Sequence, residues 1–536
     1  MKQKLPLFLL LLLSAVLSRA EERSIMVMSD IHVLDNSLWD KNNPSIFYSD
    51  PKMVEHSAEL FDMAVDRVLA VHPQLLLITG DLTYNGEKKS HEYVASQLAK
   101  IQAAGTQVFV IPGNHDVSSP IAKDYSSGKG VLTENLSAEG FAQIYADYGY
   151  NDAVKRLDNE SDSLSYMVYV AEDMAIIGLN TNQSNIGGHK SAGEITQGAL
   201  DFLRECTAKA MTDGRTNIIV MAHHPIMEHV DNQSRVDVSH ISNMSKGMIS
   251  LSEIQEQLTV SHVHAVFTGH AHLHTIARVP TANGDLYDIS TGSLCSFPSP
   301  MRHVTMDVGT GDLSITSEMI TAYQQEGYER DTVLAKAAVN AAVERIYPKF
   351  TELREMIDKD PMMKVMFSGG VFENVDKESL KTIVWLYMGK EIHHAFTSIS
   401  RGDENANVYF DTDSAYNAAV TTSYDMLKAF IGMDVSLALP LLQPVLAKKG
   451  INIDSSIMPE NIFGSVYYNY VTINEQQVTT SDASCTTMRQ INVREGTISA
   501  VDDVYEDVWQ GEKRLEDGRI VIYVNGRRMS ILGQTY

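Results

Sequence analysis

Five short β-rich runs in the first half of this chain each stop at a cluster of aspartate, histidine or asparagine, and that pattern constrains the fold more than any other feature. Ser-Asp-Ile-His (29–32) follows the run 24–28, and Thr-Gly-Asp (79–81) closes the run 75–79. Gly-Asn-His-Asp (113–116) follows 108–111, Ala-His-His-Pro (222–225) follows 217–221, and Gly-His-Ala-His (269–272) follows 265–268. A pair such as Pro112-Gly113 ends a strand for backbone reasons alone. The polar residues behind it are not required by any turn. In open α/β sheets such residues gather beyond the carboxyl ends of the strands. Each cluster taken singly also fits a surface turn or a satisfied buried pair; five in succession, each behind a strand, make a site.

The segments between these runs support a layered α/β domain. Apolar residues recur with helical spacing over 54–71, where Leu60, Ala64, Val68 and Phe61, Val65, Leu69 share one broad face, and 88–103 reads as a second helix. Strand, helix, strand, helix, strand in that order predicts a parallel βαβ sheet with right-handed crossovers. The runs 165–170 and 174–179 read as a hairpin, and 275–317 is β-rich and closes the domain.

Around 321–330 the pattern changes to long helical stretches, 332–346, 379–395, 415–431 and 436–447, the last interrupted by Pro440 and Pro444. Two β-rich runs within 519–532 flank Asn525-Gly526, a strong hairpin signal. The expected division is an export signal over 1–20, the α/β domain over 21–320, a mainly helical domain over 321–510 and a terminal β element over 511–536.

Lys2 and Lys4 precede an apolar run over 5–17, and Ser18-Arg19-Ala20 offers small residues where a signal peptidase reads. The run is shorter than the roughly 20 residues a membrane span needs. Export is the expectation, a retained anchor the competing reading. Removing this segment moves the net charge from −25 to −28, which disfavours nucleic-acid polymers and anionic membrane surfaces as partners. An anionic substrate then requires a local reversal of sign, which bound divalent metal provides. The three cysteines, Cys206, Cys295 and Cys485, form neither a disulfide framework nor a metal knuckle.

Asp30 and His32 alternate by two, as do His270 and His272, so an extended chain would point each pair one way. Carboxylate, imidazole and amide oxygen together suit Mn, Fe or Zn rather than thiolate-seeking ions. A carboxylate shared between them lets two ions lie close together.

On these motifs the sequence resembles the calcineurin-like metallophosphoesterases, over about residues 24–320, with Asp-x-His, Gly-Asp, Gly-Asn-His-Asp, a later His and Gly-His-x-His all present. Gly-Asp-Leu-Thr-Tyr-Asn-Gly-Glu (80–87) makes it look most like the bacterial class III cyclic-nucleotide phosphodiesterases that carry an extra helical C-terminal domain. The resemblance implies a four-layered αββα sandwich and two divalent metal ions. It places Asp30, His32 and His272 on one metal, Asn114, His223 and His270 on the other, and Asp81 between them. His115 is implied as the histidine that faces substrate and stabilises the transition state or protonates the leaving oxygen, with Asp116 orienting it. His224 is left as a structural neighbour. The family reaction is in-line attack on phosphorus by a hydroxide bridging the two ions. Tyr84 stands where purple acid phosphatases carry an iron-binding tyrosinate, but His32 is expected to fill that coordination slot. His91, His262, His264, His274 and His393-His394 match no ligand position.

The leading expectation is therefore an exported dinuclear-metal phosphodiesterase acting on a small phosphodiester, cyclic AMP or GMP first. Two alternatives stand beside it: a phosphomonoesterase or sphingomyelinase-like phospholipid phosphodiesterase, and a binding module built on an inactive phosphoesterase core. The helical domain is expected either to dock a partner or to cover the site. Oligomeric state is not legible.

Overall fold

The computed structural model describes residues 21–157, 164–185, 187–227, 229, 249–366 and 376–385, four short strands beyond residue 490, and isolated positions between 389 and 447. The export signal, the helices expected over 415–431 and 436–447, and Cys485 lie outside the described residues or are described only at scattered positions.

Two mixed sheets form the domain. In the first, β1 (Glu22–Met28), β2 (Leu75–Ile78) and β3 (Gln107–Val110) run parallel, linked by α1 (Ser57–Val71) and α2 (Lys88–Ala103). The second is built from β4 (Tyr166–Ala171), β5 (Met174–Leu179), β6 (Asn217–Ala222), β7 (Ala265–Thr268), β8 (Thr275–Thr281) and β9 (Gly284–Ser290), with α3 (Gln197–Thr212) and α4 (Leu251–Val260) between its central strands. Strands β5, β6, β7 and β9 are parallel; β4 and β8 are antiparallel flanks. The chain then returns to the first sheet as β10 (Pro300–Asp307), antiparallel to β1, and β11 (Leu313–Met319). A three-residue strand, β12 (Ile491–Val493), adds parallel to β11 from within the stretch expected to be helical.

Side chains alternate across each strand, and the two faces of the second sheet enter different cores. Ile176, Ile219 and Met221 join Met26, Leu76 and Val110 of the first sheet in one buried cluster. Their neighbours Ile177, Ile218 and Val220 pack with Phe202, Leu203 and Leu258 of α3 and α4 in another. Helix, sheet, sheet and helix are thereby layered, the αββα arrangement that the resemblance implied. Helix ends follow their caps. Thr196 accepts from Ala199 N and Ser250 from Glu253 N. The helix expected to begin at 54 starts instead at Ser57, behind a 3₁₀ turn over Val54–His56, because the Ser57 hydroxyl donates to Val54 O and accepts from Leu34 N.

After β11 the chain enters α5 (Gln324–Lys359), a longer helix than the periodicity over 332–346 marked. The helix expected over 379–395 is described as Lys377–Val384. At the end of the chain, Gly511–Glu516, Arg519–Val524 and Arg527–Met529 form a three-stranded antiparallel sheet, one strand more than the expected hairpin. No helix among the described residues is long and apolar enough to cross a membrane.

Candidate metal centre

The carboxyl ends of β1, β2, β3, β6 and β7 meet at one point. Asp30, His32, Asp81, Asn114 and His223 are all buried there, as is His270, with His272 at the rim. Asp30, His32 and His272 place one ligand atom each within 4.8 Å of one another, and Asp30, Asp81 and His223 do the same. Asn114 Oδ1 lies 3.1 Å from His223 Nε2 and 2.9 Å from His270 Nδ1. Asp81 Oδ2 stands between the two groups, 3.6 Å from His32 Nε2 and 3.5 Å from His223 Nε2. All seven residues marked in the sequence are thus brought together at one place, and His224 lies in the same cluster as His223 and His270.

The route to convergence differs from the one alternation suggested. Asp30, His32, Asp81, His270 and His272 all have positive φ, between 42° and 65°. Each pair points inward because its residues turn out of the strand, not because the strand continues. Left-handed backbone at a residue other than glycine costs about 1 kcal/mol or more, and such strain collects at functional sites. The glycines of the motifs serve close approach: a Cβ at Gly113 would collide with Asp81, and one at Gly80, whose φ is 103°, with the His223 ring.

The donor set fits divalent cations on its own chemistry. Asp30 Oδ1 and His270 Nε2 are buried without a hydrogen-bond partner. His32 Nε2 and His272 Nε2 face each other at 3.2 Å. Buried polar atoms left in this way cost about 1–3 kcal/mol each, and converging lone pairs are satisfied together by a cation. Burial holds His32 and His270 well below the ordinary histidine range, keeping them neutral as ligands must be. His223 behaves oppositely: burial opposes its charge, yet Asp81 raises it to about 9, a measure of how strongly the centre attracts positive charge.

His115 lies beside this cluster, its Nε2 3.9 Å from Asp81 Oδ2 and its backbone N–H donating to Asp81 Oδ1 at 2.9 Å. The expectation for Asp116 is corrected here. Its carboxylate accepts from Leu82 N, Thr83 N, Thr83 Oγ1 and Gly113 N at 2.8–3.0 Å, so it fastens the Asp81 loop to the Asn114 loop and leaves the imidazole alone. The ring is oriented by Asn85, whose Oδ1 lies 2.9 Å from His115 Nδ1. An amide oxygen only accepts, so the proton sits on Nδ1 and the Nε2 lone pair faces the centre. Asn85→Ala is expected to lower kcat about 10–100-fold with KM and metal content little changed, and Asn85→Asp to move the basic limb of the pH–rate profile upward. Unaltered kcat and profile in both variants would remove Asn85 from the reaction.

His224 spends both ring nitrogens, on Thr181 Oγ1 at 2.9 Å and Ser191 O at 3.0 Å, and is structural. The Tyr84 hydroxyl donates to Asp50 Oδ2 at 2.9 Å, and burial together with Asp50 pushes its pKa far above the ordinary phenol value. It is a neutral phenol engaged with Asp50. His91 is buried, within hydrogen-bond distance of Tyr145 and of the Asp116 carbonyl.

Glu87, fully buried beneath the same loop, accepts from Asn85 N at 2.8 Å and Lys123 N at 3.3 Å, and burial raises its carboxyl to about 7. A carboxyl raised above its unfolded value lends stability that is complete below about pH 4.5 and lost as pH rises through about 7. Glu87→Gln is therefore expected to gain stability on the wild type between pH 5 and 8, by up to about 3 kcal/mol; parallel urea midpoints across that range would contradict it.

Two mixed sheets whose parallel strands end in His, Asp and Asn side chains form an α/β sandwich with a candidate metal centre at those ends. Residues 23–274 match the family described as calcineurin-like phosphoesterase. A Rhodopseudomonas palustris protein described as a probable cyclic nucleotide phosphodiesterase is 25% identical over 216 residues, 40% of this chain and 65% of that protein. The chain thus spans a little under two thirds of that relative's length. Among solved structures, a dimetal phosphatase from Danio rerio aligns with TM-score 0.37 at 12% identity, covering 53% of this chain and 95% of that one. A purple acid phosphatase from yellow lupin aligns with TM-score 0.32 at 13% identity over 58% and 52%.

Proposed function

We propose that the protein is an exported, dinuclear-metal phosphodiesterase that hydrolyses a small phosphodiester, a cyclic nucleotide before others. The observation that carries this reading is the convergence of Asp30, His32, Asp81, Asn114, His223, His270 and His272 around unsatisfied buried lone pairs. Asp30, His32 and His272 would hold one ion and Asn114, His223 and His270 the other, with Asp81 shared. Bound Mn, Fe or Zn supplies Lewis-acid neutralisation of phosphoryl charge and lowers the pKa of the attacking water.

The chain's own residues supply the rest. Asp81 fixes the His115 backbone and holds the two groups in register. His115, turned by Asn85, presents Nε2 to the reacting phosphoryl group; once Nε2 has taken up a proton, both ring nitrogens donate, and the imidazolium stabilises charge or passes that proton to the leaving oxygen. The amphiphilic leader over 1–20 supports export, and the relative's description supports cyclic nucleotides as first substrates.

The test is hydrolysis by Mn-loaded protein of cyclic AMP, cyclic GMP, an aryl phosphodiester, an aryl phosphomonoester and sphingomyelin, with Asn114→Ala as control. Preference for cyclic nucleotides, lost in the variant, is expected. Preference for the monoester or the lipid moves the substrate to the alternative class. Absence of hydrolysis with every metal overturns the reading and favours a binding module.

A further inference from the structure

One cation beside the centre belongs to no strand-end motif. Lys52 lies in the loop that precedes α1, its side chain 13% exposed. Its Nζ is 3.6 Å from Asp50 Oδ1 and 5.7 Å from the centroid of the Tyr84 ring, and Tyr84 adjoins the Asn85 that holds His115. The loop is tied to the centre through a second one. Met53 N donates to Cys295 O at 2.7 Å, Leu294 N to Ser29 O at 3.1 Å, and Ser293 Oγ to Asp30 O at 2.8 Å. The Lys52 ammonium acts on imidazoles in and beside the centre: after burial, it is among the influences that depress His32, His115 and His189. His189 itself stacks obliquely on His115 with centroids 5.0 Å apart.

The outer side of the Lys52 loop is gripped by the first turns of α5. Arg330, its side chain 7% exposed, donates to Lys52 O at 3.2 Å, to both oxygens of Glu55 and to Glu326 Oε1, and lies 5.0 Å from the Tyr48 ring centroid. Gln324 donates to Pro298 O at 2.7 Å, and Gly327 packs against Met53 and Phe297 too closely for a side chain. The Lys52 loop and the loop over 293–298 are therefore both fastened to the first turns of α5.

We propose that Lys52 contacts a phosphoryl oxygen of the substrate, and that Arg330 is a positioning residue through which the C-terminal extension holds the Lys52 loop at the centre. The inference rests on the phosphoester reading above. Its physical basis is charge: a protein of net charge −25 gains affinity for an anion from a lysine held within reach, and an ammonium with three donors can turn from Asp50 to a phosphate oxygen. The extension then acts as a brace on the binding loop.

The experiment measures aryl phosphodiester kinetics, inhibition by orthophosphate and metal content on the full chain. Lys52→Met is expected to raise KM and the phosphate inhibition constant about tenfold, with kcat within threefold and metal content unchanged, and Lys52→Arg to restore most of the loss. Arg330→Lys keeps the charge but loses the fork that spans Lys52 O and Glu55, and Glu55→Gln loosens the same grip without touching the guanidinium. Each should raise KM and phosphate inhibition about threefold, and neither should add to Lys52→Met. Wild-type KM and phosphate inhibition in Lys52→Met overturn the contact. Additive effects of Arg330→Lys and Lys52→Met, or a fall in kcat alone, overturn the brace. If the wild type hydrolyses no phosphoester, the functional reading fails separately, and calorimetric binding of orthophosphate to the metal-loaded protein decides the Lys52 inference by the same tenfold loss.

Discussion

Asp81→Ala is expected to lower kcat/KM toward a phosphodiester by about 10³-fold or more, and to reduce bound metal from two equivalents to one or none. Asp81 stands between the two sets of converging ligands, sharing one cluster with His32 and His115 and another with Asp30 and His223. Its Oδ2 lies within 3.6 Å of His32 and His223, and its Oδ1 accepts the His115 N–H. Burial raises the carboxyl, but the facing His223 with its neighbours outweighs it and holds the group well below its ordinary range. Truncation therefore removes the shared ligand, the main negative charge facing both imidazole sets, and the anchor of His115 together. Each contribution is of the kind that stabilises developing charge by several kcal/mol, and about 4 kcal/mol corresponds to the stated loss. Asp81→Asn keeps an acceptor for His115 N and should be milder in stability but similar in metal content. Two tightly held metal equivalents and near-normal turnover in Asp81→Ala would remove it as the bridging ligand.

Asp116→Ala is expected to be the most destabilising single substitution around the centre, by about 3–5 kcal/mol. The carboxylate is fully buried and receives three backbone N–H groups and one hydroxyl. Removing it leaves three buried backbone donors without partners, at about 1–3 kcal/mol each less whatever water can recover. The donors belong to the Asp81 and Asn114 loops, so the two ligand-bearing strand ends lose their shared fastening. Asp116→Asn should recover part of the loss, because an amide supplies one acceptor while its N–H₂ opposes the remaining donors. Urea midpoints measured with and without metal test this. A change under about 1 kcal/mol would return Asp116 to a purely catalytic role.

These two aspartates show where sequence reasoning succeeds and where it stops. Asp81 is legible because a Gly-Asp behind a buried strand, in series with four similar strand ends, already implies a common meeting point. Asp116 is equally visible as a residue, but its partners on Leu82 and Thr83 lie more than thirty positions away in another loop, and no periodicity reports them. Asn85 was in view only as part of the stretch 80–87. Its contact with His115 depends on how the loop after Asp81 turns. Lys52 gave no signal, since a lysine in a connecting loop is ordinarily a solvated charge and only its burial beside the centre distinguishes it.

The order of strands and helices, the parallel core and the five polar strand ends followed from the sequence, because apolar periodicity fixes which runs are strands and polar residues at strand ends have few structural reasons to be there. The choice of seven ligand candidates among those residues came from the family resemblance. The direction each side chain takes was decided by the tertiary structure. Alternation along an extended chain would have aimed Asp30 and His32 together, but both sit in left-handed backbone, stabilised by contacts with strand ends far away in sequence. The pairing of Asn85 with His115, the fastening role of Asp116 and the grip of Arg330 on the Lys52 loop are likewise long-range contacts. Local sequence sets propensity and pattern over a few residues, whereas these contacts exist only once packing brings distant loops to one place.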